Sequence, residues 1–264
     1  IMNDLKENVK KYFDATSDEY AGVYAKEEAD SLRAYIFSSR RKYVLEMFDL
    51  KGGKVLDIGC GPGVLTGEFL KRGCQVWNID ISEAMVKKAK ERFKPERDSD
   101  MAYFEVGDIE KLKFPDGFFD GIVCSGVLEY LSSDSLALKE ICRALKPGGE
   151  VIFTVPNLSS PFVWLEKSVV SIVRLFRRIF QVYSESLLFR EDIIDKYYCP
   201  PRFKMMLRKK GFKIDKTRFH AYRLAFLSLI SPKLSLSFAN NLEFLTNTWF
   251  CWAGVSYIIK AHKE

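Results

Sequence analysis

Three glycines at alternate positions, Gly59, Gly61 and Gly63, close the stretch VLDIGCGPG at residues 55–63, directly after an apolar run. Lacking Cβ atoms, they let the chain bend sharply and bring its backbone to van der Waals distance of a ligand. Between a strand and a helix, such a turn suits a nucleotide-like molecule. Asp80 stands 21 residues beyond Gly59, at the end of the next apolar run. A carboxylate there can accept hydrogen bonds from both hydroxyls of a ribose. The spacing departs from the dinucleotide fingerprint, which needs glycine or alanine where Val64 stands. Asp57, inside the strand itself, fits a ligand with a cationic amino-acid tail instead. Farther along, Glu129 in SGVLEYLSSD and His220 at the end of a predicted strand are candidate general bases. The competing readings are a structural acid bonded to backbone amides for Glu129 and a packing role for His220.

These residues need a frame. KVLDI (54–58), QVWNI (75–79), AYFEV (102–106), FFDGIVC (118–124) and GEVIFTV (149–155) read as strands. Helical stretches fall between them at 64–72, 83–93 and 134–145, with Ser82 and Asp134 as the expected caps of the second and third. This alternation implies a parallel sheet wound by right-handed crossovers. Residues 5–13 and 31–49 read as upstream helices. After residue 157 the rhythm breaks. A long amphipathic stretch leads to a proline-started helix, a stop at Gly211 and a strand at 212–219. Residues 222–248 read as helix interrupted at Pro232, and CWAGVSYIIKAH closes the chain as a last strand.

At this point the motifs add up. VLDIGCGPG resembles the first motif of the class I S-adenosylmethionine-dependent methyltransferases of the small-molecule type. NIDIS (78–82), GDIEKLKFPDGFFDGIVC (107–124) and ALKPGGEVIFTVPN (144–157) resemble the next three motifs, in order. Residues 8–48 resemble the N-terminal cover of the quinone and porphyrin methyltransferases. The resemblance implies an α/β fold: a doubly wound, mostly parallel, seven-stranded Rossmann-like sheet with an antiparallel last strand and an inserted helical lid. The expected organisation is one methyltransferase domain over 1–264. It comprises a helical cover (1–50), a cofactor-binding core (51–157), lid insertions (158–211 and 221–250) and the final strands (212–219 and 251–261). The implied donor is S-adenosyl-L-methionine, leaving S-adenosyl-L-homocysteine as product. Gly59, Gly61 and Gly63 would line its methionine and ribose side, and Asp80 would hold the ribose. Ile81 would pack on the adenine, while Asp108 and the Ile109 amide would read it. Ser125 would lie near the methionyl tail. Tyr12, Tyr20 and Tyr24 are expected to close over the donor or to pack within the helix.

Composition sets the remaining expectations. With 47% hydrophobic and 29% charged residues, the chain can bury a core. Six cysteines without a CxxC read as reduced thiols, and two histidines, His220 and His262, offer no metal-ligand spacing. The charged N-terminal stretch lacks the apolar segment of a signal peptide, and no 18-residue uncharged apolar run occurs. A cytoplasmic protein is expected. Charge is lopsided: residues 1–157 hold 23 Lys+Arg against 27 Asp+Glu, and residues 158–264 hold 18 against 8. The stretch 162–180, apolar with five charges, is either a lid or a helix for peripheral membrane contact. The expected partner is a small-molecule methyl acceptor, methylated at oxygen and of hydrophobic or lipid-like character. SGVLEYL stands where adenine-methylating enzymes carry a proline-proline-aromatic motif, and no RNA-binding module appears, which argues against nucleic acid. The alternatives are a non-catalytic S-adenosylmethionine-binding module, an RNA methyltransferase and a nicotinamide oxidoreductase.

Overall fold

A computed structural model describes residues 2–24, 29–93, 101–180 and 196–264. Five apolar runs form parallel strands: β1 (Lys54–Ile58), β2 (Gln75–Asp80), β3 (Ala102–Val106), β4 (Phe119–Ser125) and β5 (Leu145–Pro156). β6 (Phe212–His220) and β7 (Ser256–Lys263) complete a seven-stranded sheet of order β3-β2-β1-β4-β5-β7-β6. β7 lies antiparallel to both of its neighbours, as the resemblance implies. The chain winds outward from β1 to β3, then returns to place β4 on the other side of β1. That reversal opens a crevice at the carboxyl ends of β1 and β4, where open α/β sheets bind ligands.

Both faces of the sheet are buried at its central strands, β1, β4, β5 and β7, and side chains alternate between them. Leu56, Ile122, Phe153 and Ile259 enter one core cluster; Val55, Val123, Ile152 and Ile258 enter the other. Helices α3 (Thr66–Lys71), α4 (Glu83–Arg92) and α5 (Asp134–Ala144) are the crossovers. Each fully buried Leu, Ile or Phe contributes roughly 1.5–3 kcal/mol of transfer free energy, so these two clusters hold the frame rigid.

Upstream, α1 (Met2–Tyr24) and α2 (Leu32–Met47) cross the crevice end of the sheet. α1 is longer than the 5–13 expected from the sequence. Polar partners carry it on: Asp14 accepts hydrogen bonds from the Ser82 hydroxyl (2.6 Å) and the Ala84 amide (3.1 Å), tying α1 to the start of α4. Ser82 caps α4, accepting from Met85 N at 3.1 Å. The expected Asp134 cap is corrected. Ser133 is the N-cap of α5, and Asp134 instead accepts from Lys196 Nζ (2.5 Å) and the Tyr198 hydroxyl (2.9 Å).

Past β5, α6 (Pro161–Phe180), α7 (Pro200–Lys209) and α8 (Pro232–Leu242) follow. Pro232 starts α8 rather than interrupting a longer helix, because a proline at the first turn forfeits no hydrogen bond. Short 3-10 turns flank it at Ala225–Leu229, Glu243–Asn247 and Trp249–Ala253. The last of these takes the place of the strand start expected at 251. α7 falls inside the expected lid boundary of 158–211, yet Phe203 and Leu207 bury into the core cluster beneath β5 and β6. α7 is thus a sheet-covering helix. Residues 181–183 of the amphipathic stretch lie outside the described residues. Among the described residues no helix is long and apolar enough to cross a membrane.

Candidate active site

The crevice is a cleft floored by the ends of β1, β2 and β4 and roofed by α1 and α2. Of the residues singled out in the sequence, Gly59, Gly61, Asp80, Ile81, Asp108, Ile109 and Ser125 line it together. Asp80 is fixed at its lip. One carboxylate oxygen accepts from the Gly61 amide and the other from the Ser82 amide, each at 2.9 Å. Burial pushes its pKa up to about 6, against the pull of those two amides. Gly59 takes φ +68°, and a Cβ there would stand 2.3 Å from Val127 Cγ2. Glycine is therefore required on two counts, backbone conformation and space.

Asp57 sits below this floor. It is buried, its Oδ2 has no hydrogen-bond partner, and burial together with the nearby Asp80 raises its pKa to about 8. An orphaned carboxyl of this kind is costly unless a cation completes it. Gly63 lies outside the cleft wall. A Cβ on it would meet Phe93 at 2.9 Å and Ala89 at 3.3 Å, so its place is to let the turn dock against α4. The Cys60 thiol lines the cleft, but burial and then the charges of Asp80 and Asp57 hold its pKa well up, which keeps it an inert thiol.

At the far end, Asp108 accepts from the Glu110 amide (2.9 Å) and from Lys6 Nζ of α1 (2.6 Å). Lys6 also bridges to Glu110. Any ligand amino group bonding to Asp108 shares that carboxylate with Lys6. Tyr20 and Tyr24 line the cleft with Phe13, Phe37 and Tyr130, whereas Tyr12 is not part of the wall. The Tyr24 and Phe37 rings stack at 4.9 Å, and Phe13 meets Tyr20 and Tyr130 edge-on at 5.6 and 5.3 Å. The roof is an aromatic enclosure.

The two candidate bases are placed differently from one another. Glu129 is buried just behind the wall, its Oε1 3.5 Å from where a Cβ on Gly126 would be. His220 does not reach the cleft. It is fully buried beside Tyr43, with Nδ1 3.0 Å from the Ser39 hydroxyl, and burial followed by the charges of Arg40 and Arg218 pushes its pKa down to about 3. Such an imidazole stays neutral, and it is not part of the cleft lining.

Arg40 is the residue that sequence reasoning missed. It reaches from α2 into the cleft, where its Nη1 lies 2.2 Å from the position of a Cβ on Gly126. Only glycine at 126, with φ +71°, leaves room for the guanidinium. In the sequence Arg40 belongs to SSRRK, which looks like any solvated helix face. Lys6 was hidden in the same way, in the charged first helix. Among the described residues no group of three or more His, Cys, Asp or Glu side chains could hold a metal ion.

A doubly wound sheet of this order, with a glycine turn and an acid at the switch-point crevice, defines a class I methyltransferase-type domain. Residues 56–153 match the family model described as a methyltransferase domain. A ubiquinone biosynthesis O-methyltransferase from Coxiella burnetii is 34% identical over 118 residues, 45% of this chain and 50% of that one. One from Xanthomonas oryzae pv. oryzae is 34% identical over 119 residues, 45% and 49% of the two chains. The chain thus spans about half the length of the curated relatives it matches. Among solved structures, the magnesium protoporphyrin IX methyltransferase of Synechocystis PCC 6803 with bound SAH superposes at a TM-score of 0.62. It is 17% identical, over 97% of this chain and 98% of that one. The (4+2)-cyclase SpnF superposes at 0.60, with 18% identity over 97% and 95%. At these identities the likeness is one of fold.

Proposed function

We propose that the protein transfers a methyl group from S-adenosyl-L-methionine to an oxygen of a small, apolar acceptor. One observation carries this reading. Residues from four separate loops converge on a single cleft, with a buried carboxylate, Asp80, oriented by two backbone amides at its lip. The residues fit the donor part by part. Asp80 would take the ribose hydroxyls, and Ile81 the face of the adenine. Asp108 and the Ile109 amide would take its edge. The orphaned Asp57 carboxyl and Arg40 would take the charged ends of the methionyl tail, ammonium and carboxylate respectively. Ser125 would lie beside that tail.

When bound, the donor supplies a methyl already activated by its sulfonium. The chain's own residues bind, orient and exclude water. Aligning two reactants in this way removes up to roughly 7–11 kcal/mol of barrier in favourable cases. Tyr20, Tyr24, Phe37 and Phe13 form an apolar enclosure that suits a hydrophobic acceptor and keeps water out. Glu129, behind the wall at Gly126, is the carboxylate assigned to an acceptor that must lose a proton; His220 lies outside the cleft lining. The ubiquinone biosynthesis O-methyltransferases, matched over the donor-binding half, favour oxygen as the acceptor atom.

The fold alone does not carry the activity, since a cyclase shares it. The test is transfer itself. The protein is incubated with methyl-labelled donor and a pool of apolar metabolites, and masses that rise by one CH2 with label retained are sought. Labelled products from the wild type and none from Asp80→Ala support the reading. Donor binding without transfer to any acceptor points to the non-catalytic module.

A further inference from the structure

The C-terminal part of the chain carries a surface that the donor cleft does not use. Residues 225–253 contain one lysine, Lys233, and one glutamate, Glu243. Glu243 turns inward, accepting from the Tyr43 hydroxyl (2.6 Å) and from the Tyr35 hydroxyl. Besides exposed Lys233, Ser237, Asn240, Asn241 and Asn247, this stretch presents large apolar side chains to water. Trp249 is 78% exposed, Ile230 74% and Phe244 63%, with Leu234, Phe250 and Trp252 also exposed. The rings of Trp249, Phe250 and Trp252 adjoin, with successive centroids 3.7 and 6.5 Å apart. The elements that bear these side chains are neighbours. Ala225–Leu229 packs on α6 and α8, and Glu243–Asn247 packs on α8 and on Trp249–Ala253. α6 adds exposed Trp164, Leu165 and Ile172. Clustered large apolar residues on a surface mark an interaction site, whereas scattered ones do not.

We infer that this surface seats the protein on an anionic lipid bilayer. Two observations select that occupant. Tryptophan and phenylalanine on short exposed turns match the interfacial zone of a bilayer, which takes rings with one apolar and one wet end. Charge supplies the second. Lys204 and Arg208 share a surface depression with Trp252 and Phe219. Cations beside interfacial aromatic rings can engage headgroup phosphates while the rings enter the acyl boundary. The contact is peripheral, because no described helix can span. It extends the contact expected of 162–180 to the turns around α8. The side chains of Arg174, Arg177 and Arg178 lie outside the described residues, and the inference does not use them. Nor does it depend on methyl transfer.

The test is sedimentation of the full chain with vesicles of equal parts phosphatidylcholine and phosphatidylglycerol at low salt. The wild type should pellet with them, and much less with phosphatidylcholine alone or at high salt. Trp249→Ser/Phe250→Ser should lower partitioning about tenfold, and Lys204→Glu/Arg208→Glu should weaken it severalfold. Melting temperature and S-adenosylhomocysteine binding should be unchanged in both variants. The inference is overturned if the wild type stays in solution with the anionic vesicles, or if the tryptophan–phenylalanine variant pellets like wild type. It is equally overturned if light scattering shows a dimer that this variant breaks while vesicles are ignored. Wild type that pellets but binds no S-adenosylhomocysteine supports the docking and removes the transfer reading.

Discussion

Asp57 lies inside β1 and Asp80 ends β2; burial, and then the charge of Asp80, raise the cost of ionising Asp57. With its pKa near 8, Asp57 holds a proton at neutral pH. Pairing with the donor's ammonium would favour the carboxylate, so binding S-adenosylhomocysteine at pH 7 should release close to one proton. Titration calorimetry in buffers of different ionisation enthalpy reads this directly, and Asp57→Asn should abolish the dependence. The same group has a linkage consequence without ligand. Its folded-state pKa lies above the ordinary value of 3.8, so between about pH 4 and 8 the folded state binds more protons than the unfolded one. The stability tied to this carboxyl is full at low pH and lost as pH rises through 8. Wild type should therefore lose melting temperature from pH 5 to 8 more steeply than Asp57→Asn does. Gly59 offers a steric test. Gly59→Ala drives a methyl into Val127 and forces alanine to φ +68°, so it should cost on the order of 1–3 kcal/mol of stability and most donor affinity. Adding Val127→Ala should restore the part due to the clash and leave the part due to the backbone, as urea midpoints of the two variants would resolve.

Among the elements, the strands and crossovers around the cleft were legible from sequence because both faces of the sheet are buried. KVLDI, FFDGIVC and GEVIFTV carry apolar residues on both faces rather than in strict alternation with polar ones for that reason. Helices held by tertiary contacts were less legible. α1 continues through DATSDEYAGVY, a stretch of weak helix propensity, because Asp14 is bonded to the head of α4 and its aromatic rings pack over the cleft. α7 looked like lid from its place after the break in rhythm, yet it packs on the sheet. Phe203→Ala tests this. As a core position it should lower the urea-derived stability of the whole domain by about 3–5 kcal/mol. A peripheral lid position would show local opening in hydrogen exchange and an unmoved global midpoint.

For the molecule as a whole, the site divides the same way. The floor was readable because a glycine turn and a strand-end acid fall at a fixed distance along the chain: Gly59, Gly61 and Asp80 line the cleft, as does Asp108, which the resemblance implied. The roof was not, because Lys6, Phe37 and Arg40 arrive from α1 and α2 by folding, with no spacing to announce them. His220 shows the reverse error, a strand-end histidine that looked chemical and is sealed in the core with Ser39 and Tyr43. The whole account rests on the cleft binding an adenosyl donor, and calorimetric titration of the protein with S-adenosylhomocysteine tests that most directly. It predicts saturable one-to-one binding by the wild type and at least about tenfold weaker binding by Asp80→Ala, the loss of roughly 1.5–3 kcal/mol expected for hydrogen bonds to a charged group. No heat of binding from the folded wild type, or equal affinity in the two proteins, would contradict it.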